Sequence, residues 1–252
     1  RRVLFRSITV HDTVVDSKNN LYFLNCENND CTSHSLANLN ITNNVFTVYD
    51  KKDGYFNSLL IDSNDNVVMT QANHVTTFDP VSHIVNSYNI DNCDMRGIID
   101  PSNNLICISR DYTKIQKLDR STNTMTTWDL PPPYTTRSID TNSLGDIFFI
   151  ESNFVWTKLA KITISNDTLT EWFIPRQTNW FIGFNSYGQQ NMVIDKSETV
   201  FFSTPERFFR FVPESEIFTA FDGPQNYCGT FLGMDSTGNL FCFKDGVYEK
   251  IE

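Results

Sequence analysis

The chain has 252 residues, of which 40% are hydrophobic, 20% charged and 13% aromatic, and its formal net charge is −10. That is a globular composition, long enough to bury a substantial core, rather than a disordered one. The acidic balance and the lack of a basic stripe exclude a nucleic-acid binder, and no apolar run approaches the ~20 residues of a membrane-spanning helix.

At its start, Arg1-Arg2-Val3-Leu4-Phe5-Arg6-Ser7 matches the translation of a short-read sequencing adapter. The expectation is a scar over 1–7, a single domain over 8–252, and a native start lost upstream together with any signal peptide.

From Asp16 onward the chain repeats. An apolar run, an Asp, a polar turn and a second apolar run recur at Asp16, Asp62, Asp100, Asp140, Asp195 and Asp235. The turns read DSKNNL, DSNDNV, DPSNNL, DTNSLGDI, DKSETV and DSTGNL. Asp at the first turn position accepts a backbone hydrogen bond, and a later Asn or Gly closes the turn in the left-handed conformation. No copy has the oxygen run of an EF-hand, so these are turn residues rather than calcium ligands.

A second motif follows each of the first five: LNITNNVFTVY from Leu39, FDPVSHIVNSY from Phe78, LDRSTNTMTTW from Leu118, ITISNDTLTEW from Ile162 and FVPESEIFTAF from Phe211. In each copy the first apolar residue and a closing aromatic stand ten apart, the aromatics being Tyr49, Tyr88, Trp128, Trp172 and Phe221. Each repeat therefore supplies four short strands, placed in the third copy at 97–100, 105–109, 114–118 and 125–130. Four strands per ~40 residues predict an all-β, six-bladed β-propeller of four-stranded blades. The sixth copy ends after FCF and VYEKI, one strand short, so an N-terminal strand is expected to close the last blade. Counting back places it near Leu4, inside the scar, so part of the native closing strand is expected to have been replaced by adapter.

The segments TMTTWDLPPPYTTRSIDTNSLGDIFFIE and TLTEWFIP resemble the repeats of streptogramin lyase-like propellers, and the wider NHL and gluconolactonase-like propellers are similar. The resemblance runs from about residue 12 to the end and speaks for fold more than activity. In that lyase family a blade reads H-G-I-x-x-D before the hairpin and W-F-T-E after it, and a small set of those His and Glu residues opens a lactone with Mg²⁺. Here the His position holds His11, Asn57, Met95, Thr135, Gln190 and Thr230; the Glu position holds Asn25, Gln71, Ser109, Glu151, Thr204 and Lys244. One His and one Glu match, on the first and fourth blades. The resemblance thus leaves His11 and Glu151 as catalytic candidates, without the cluster that would set a base beside a metal.

The four His residues, His11, His34, His74 and His83, offer no pair at metal-ligand spacing on one element, and no metal site is expected outside the lyase reading, where Mg²⁺ or Ca²⁺ would serve. GxSxG, Walker, GxGxxG and CxxC motifs do not occur. Cys93 and Cys228 lie seven before their Asp landmarks, and Cys107 and Cys242 seven after. Two equivalent disulfides and a local Cys26–Cys31 loop are expected, with free buried thiols as the alternative. The even count and the sequons at Asn40 and Asn166 point to a secreted, glycosylated protein. An insertion after Trp172 brings Trp180, Phe181, Phe184 and Tyr187, which can form an aromatic platform; with Asn57 and Gln190 they are the candidate ligand-binding residues. The leading reading is a non-catalytic extracellular propeller that binds a protein or glycan. A metal-dependent lactone-opening enzyme, or a module of a larger structural or adhesive protein, stands beside it.

Overall fold

The computed structural model describes residues 10–26, 33–53, 56, 58–71, 73–153, 156–175, 192–203, 207–222, 231–234, 239–244 and 247–251. Every regular element among them is a strand. The first sheet holds β1 (Val10–Val15), β2 (Asn20–Cys26), β3 (Ser33–Asn40) and β4 (Val45–Asp53); the second holds β5 (Ser58–Ile61), β6 (Val67–Thr70), β7 (His74–Phe78) and β8 (Val85–Asn89). The third is β9 (Cys93–Ile99), β10 (Leu105–Ser109), β11 (Lys114–Asp119) and β12 (Thr124–Asp129), and the fourth β13 (Thr135–Thr141), β14 (Ile147–Ser152), β15 (Thr157–Thr163) and β16 (Thr168–Phe173). The fifth has β17 (Met192–Ile194), β18 (Val200–Ser203), β19 (Arg207–Val212) and β20 (Ile217–Asp222), and a three-stranded sixth has β21 (Phe231–Met234), β22 (Leu240–Lys244) and β23 (Val247–Ile251). All six are antiparallel meanders with neighbouring strands in chain order. The third sheet lies within a few residues of the sequence expectation.

The turns explain the order. Asp16 Oδ1 accepts the backbone N–H groups of Lys18 and Asn20 at 2.9 and 2.8 Å, and Asp62 Oδ1 those of Asn64 and Asn66 at 2.9 and 3.0 Å. Asp195 Oδ1 does the same for Ser197 and Thr199, at 2.8 Å each. Three residues after the acceptor the chain turns left-handed, at Asn19, Asp65, Asn103, Gly145 and Glu198. Between the third and fourth strands of each sheet, the fifth residue after the leading apolar one does likewise: Asn44, His83, Asn123, Asp167 and Glu216. Equal offsets in every copy fix the hairpin registers.

One landmark is corrected. In the fourth sheet the turn acceptor is Asn142, whose Oδ1 takes Leu144 N at 3.1 Å and Asp146 N at 2.8 Å. Asp140 lies two residues earlier, inside β13. It spans instead to the next sheet, accepting Ile194 N at 3.0 Å. Counted from Asn142, Glu151 stands nine residues on, as its counterparts do in the other copies.

Second strands are buried throughout (β6, β10 and β14), because a sheet packs on each side of them, whereas the fourth strands β8, β12 and β16 are mostly exposed. Tyr22, Leu24, Leu36, Leu59, Met69 and Phe78 fill the layer between the first and second sheets; Val68, Val75, Leu105, Cys107 and Leu118 fill that between the second and third. Phe148, Leu159, Val200, Phe202, Phe209 and Phe211 pack the fourth on the fifth. The closing aromatics Tyr49, Tyr88 and Trp172 seal these layers at their outer edge. Each fully buried side chain contributes about 1.5–3 kcal/mol, so these layers dominate the stability.

By packing density the chain falls into two compact units: Arg1–Ile99 with Asn103–Arg110 and Gln116–Thr127, and Asp100–Ser102 with Asp111–Ile115 and Trp128–Glu252. In the first unit, a disulfide joins Cys93 to Cys107. Cys107 stands opposite Gly97 and Ser109 opposite Cys93, and the irregularity between these pairs draws the two cysteine Cα atoms to 5.9 Å.

Candidate functional site

The fourth sheet places two buried ionisable groups, Glu151 and Lys158, side by side at one end. Glu151 at the end of β14 pairs across the sheet with Lys158 on β15, and Lys158 pairs with Phe173 on β16, so one row of one face carries all three. Strand alternation puts Glu171 on the same face and turns Trp172 into the core behind. Lys158 Nζ lies 2.9 Å from Glu171 Oε1 and 3.5 Å from Glu151 Oε1, and 4.1 and 5.2 Å from the ring centroids of Tyr134 and Phe173. The ammonium is thus held by two carboxyl groups and two aromatic faces. Trp156 meets Phe173 edge to face, with centroids 5.9 Å apart.

The row grades from dry to wet. Glu151 is 0% exposed, Lys158 7%, Trp156 43% and Phe173 62%. Both Glu151 carboxyl oxygens are enclosed without a hydrogen-bond partner among the described residues. Burial, and after it the Glu171 carboxylate alongside, push the Glu151 pKa up to about 8. Glu171 moves down, through the proton that Glu151 keeps and the charge of Lys158. At neutral pH the row therefore reads as a neutral acid, an ammonium and a carboxylate, with no net charge.

A general base must be ionised and within reach of its proton. Glu151 as placed is fully enclosed and mostly protonated at neutral pH, and Lys158 lies within 3.5 Å of both Glu151 and Glu171. This donor set does not fit Mg²⁺ or Ca²⁺. Among the described residues, no group of three or more His, Cys, Asp or Glu side chains is arranged to hold a metal ion.

Of the other sequence candidates, His11 lies on β1 with its side chain outside the described residues. Asn57, Trp180, Phe181, Phe184, Tyr187 and Gln190 lie outside them altogether, as do Cys31 and Cys228. Cys26 and Cys242 fall on β2 and β22, with their side chains outside. Asn40 is tied into its turn: its Nδ2 donates to Asn20 Oδ1 at 2.7 Å and its Oδ1 accepts Thr42 N and Asn43 N. Asn166 stands exposed in the turn between β15 and β16. Sequence reasoning missed Lys158, Glu171, Tyr134, Trp156 and Phe173. The available signal was alternation in TLTEWF: with Trp172 as the inward closing aromatic, Glu171 and Phe173 must share the opposite face.

Successive four-stranded antiparallel meanders, packed face to face through buried second strands, are the architecture of the β-propeller class. Within that class the chain has a streptogramin lyase-like fold. Virginiamycin B lyase from Staphylococcus aureus matches over 96% of this chain and 83% of its own, at 16% identity and a TM-score of 0.69. The extracellular domain of a putative one-component system from B. thetaiotaomicron matches over 98% of this chain and 38% of its own, at 10% identity and a TM-score of 0.62. An auxiliary nutrient-binding protein from Bacteroides thetaiotaomicron matches over 91% and 65%, at 12% identity and a TM-score of 0.56. No family model matches the sequence, and no curated protein is significantly similar to it.

Proposed function

We propose that the chain is a non-catalytic, extracellular binding propeller that holds a protein or glycan at the Tyr134–Trp156–Phe173 rim, with the sequence insertion 175–190 as a further candidate. The observation that carries this reading is the rim itself: the exposed rings of Trp156 and Phe173, with the half-buried Tyr134, beside a set of charges that already neutralise one another. The disulfide in the third sheet agrees with an oxidising compartment. Two of the structural neighbours are an extracellular sensor domain and a nutrient-binding protein. The lactone-opening reading rests on Glu151 occupying the register of the lyase repeat's glutamate, and is weakened by its burial against Lys158. Incubating the chain with a macrocyclic lactone and Mg²⁺ separates the two. Ring opening that disappears in Glu151→Gln would overturn the binding reading.

As part of this proposal the domain is a closed ring of six blades over 8–252, the sixth completed by an N-terminal strand. The support is a rule of the turns: the Ser after the turn acceptor bonds to the left-handed residue of the next sheet's turn. Ser17 bonds Asp65, Ser63 bonds Asn103 and Ser143 bonds Glu198. Run once more around a six-bladed ring, the rule pairs Ser236 of DSTGNL with Asn19. The double variant Asn19→Cys/Ser236→Cys should cross-link on oxidation; a chain that stays uncross-linked speaks against this closure.

A further inference from the structure

We infer that the rim of the fourth sheet is a subsite for an uncharged saccharide, with a sugar ring laid on Phe173 and Trp156 and its hydroxyls directed to the Glu171 carboxylate. This rests on the binding reading above and names its ligand class.

Three observations select the class. First, the rings are held in place. The backbone under Phe173 is fixed by its pairing with Lys158, and that under Trp156 by Asn153, whose Oδ1 accepts Trp156 N at 2.7 Å and whose N donates to Trp156 O at 3.0 Å, while the two rings pack edge to face on each other. Rigid aromatics lose little entropy on binding and offer the flat apolar surface that the C–H face of a pyranose covers. Second, the rings meet at 76°, so they form a corner rather than a flat sheet, which suits a compact ring against both walls better than a broad protein surface. Third, the polar groups have no charge to offer. Lys158 is taken up by Glu171, Glu151, Tyr134 and Phe173, and so is not an uncommitted cation for a sulfate or phosphate. Glu171, with its side chain 31% exposed, is already paired and keeps carboxylate lone pairs as acceptors for hydroxyl donors. An apolar face with hydroxyls at its edge and no net charge is the complement of such a set.

The test uses the full chain and the linear hexamers of glucose and of N-acetylglucosamine, with heparin and an oligolysine peptide as charged probes, read by tryptophan fluorescence and calorimetry. Saturable binding of a neutral hexamer is expected, weakened at least about tenfold by Phe173→Ala and by Trp156→Ala. Glu171→Gln should weaken it by less, and Phe46→Ala, which removes an exposed ring from the first sheet, should leave it unchanged. Circular dichroism of each variant separates loss of a contact from loss of fold. Neutral-hexamer binding that survives both rim substitutions overturns the inference, and so does its absence up to about 10 mM, where affinity would be too weak to matter. Rim-dependent binding of oligolysine or heparin alone also overturns it, while leaving the binding reading intact. Cleavage of the bound hexamer would do the reverse.

Discussion

The two compact units use their polar side chains differently. In the first, each turn is stitched to the next sheet: Ser17 gives its N–H and hydroxyl to Asp65 at 2.9 and 2.7 Å, and Ser63 and Asn103 bond reciprocally at 2.9 and 2.8 Å. Arg120 reaches across to Asp62 at 2.9 Å while also donating to Thr77 Oγ1 and Asn103 O. In the second unit the matching stitch is Ser143 to Glu198 at 3.4 Å, and the turn with Gly145 has no side chain to give. There two carboxyl groups carry a desolvation cost: a fully buried Glu151, without a hydrogen bond though 3.5 Å from Lys158, and an Asp140 whose pKa desolvation pushes up to about 7. One repeat architecture thus yields a stapled unit and one that tolerates cost at a rim. Strain of that kind gathers where a scaffold meets a ligand.

The contrast breaks most directly at Arg120. Its side chain is 9% exposed and that of Asp62 3%, so Arg120→Ala leaves a buried carboxylate without its ion pair. A loss of about 3–5 kcal/mol is expected in chemical denaturation. A loss under about 1 kcal/mol would mean that the staple is ornamental. The Cys93–Cys107 bond comes next: it closes a separation of 14 residues in the same unit, and Cys93→Ala with Cys107→Ala should cost about 3 kcal/mol. Reduction of the unaltered chain gives the same shift if the bond is formed in solution.

The second unit is tested by pH. The Glu151 pKa is raised from 4.5 to about 8 in the fold, so the unfolded chain gives up its proton first, and stability falls as pH rises between those values. Asp140 acts in the same direction between 3.8 and about 7. The melting temperature should therefore be higher at pH 5 than at pH 8. Glu151→Gln, which keeps the shape of the neutral acid, should recover ~3 kcal/mol at pH 8, or about 6–12 °C. An identical pH slope in the variant would show that the carboxyl is ionised in the fold.

These differences were unevenly legible in the sequence. The left-handed turn positions follow from fixed offsets, and the strands of the third sheet fell within a few residues of their expected places. The fourth turn was misread by two residues because DTN offers two side chains able to cap it, and local chemistry does not choose between them. The clue was arithmetic: Glu151 stood eleven after Asp140 but nine after Asn142, the spacing of every other copy. The Cys93–Cys107 pairing needed the irregularity in β9, which no simple hairpin count contains. The rim depends on which residues face one another across three strands, so Lys158 and Phe173 became visible only once the registers were fixed.

The smallest effect sharpens the contrast from the other side, at the turn of the second unit where a glycine holds the left-handed position. Gly145 has φ near 83°, and a Cβ there would meet only Asp100 Oδ2, at 3.9 Å. Space is therefore not the constraint; backbone conformation is. The equivalent turn residues Asn19 and Asn103 hold φ of 62° and 64°, so asparagine accepts this conformation where alanine resists it. Gly145→Asn also restricts the unfolded chain, while the residue that takes the place of Ser63 here is Pro101, with neither an N–H nor a hydroxyl to bond. The expected gain is ~0.5 kcal/mol, against a loss of ~1 kcal/mol for Gly145→Ala. Measured side by side in urea, a positive difference between the two variants shows that this turn needs only a residue tolerant of the left-handed conformation. Equal losses would instead assign it to a backbone that only glycine can adopt, and the second unit would then be looser by geometry rather than by sequence.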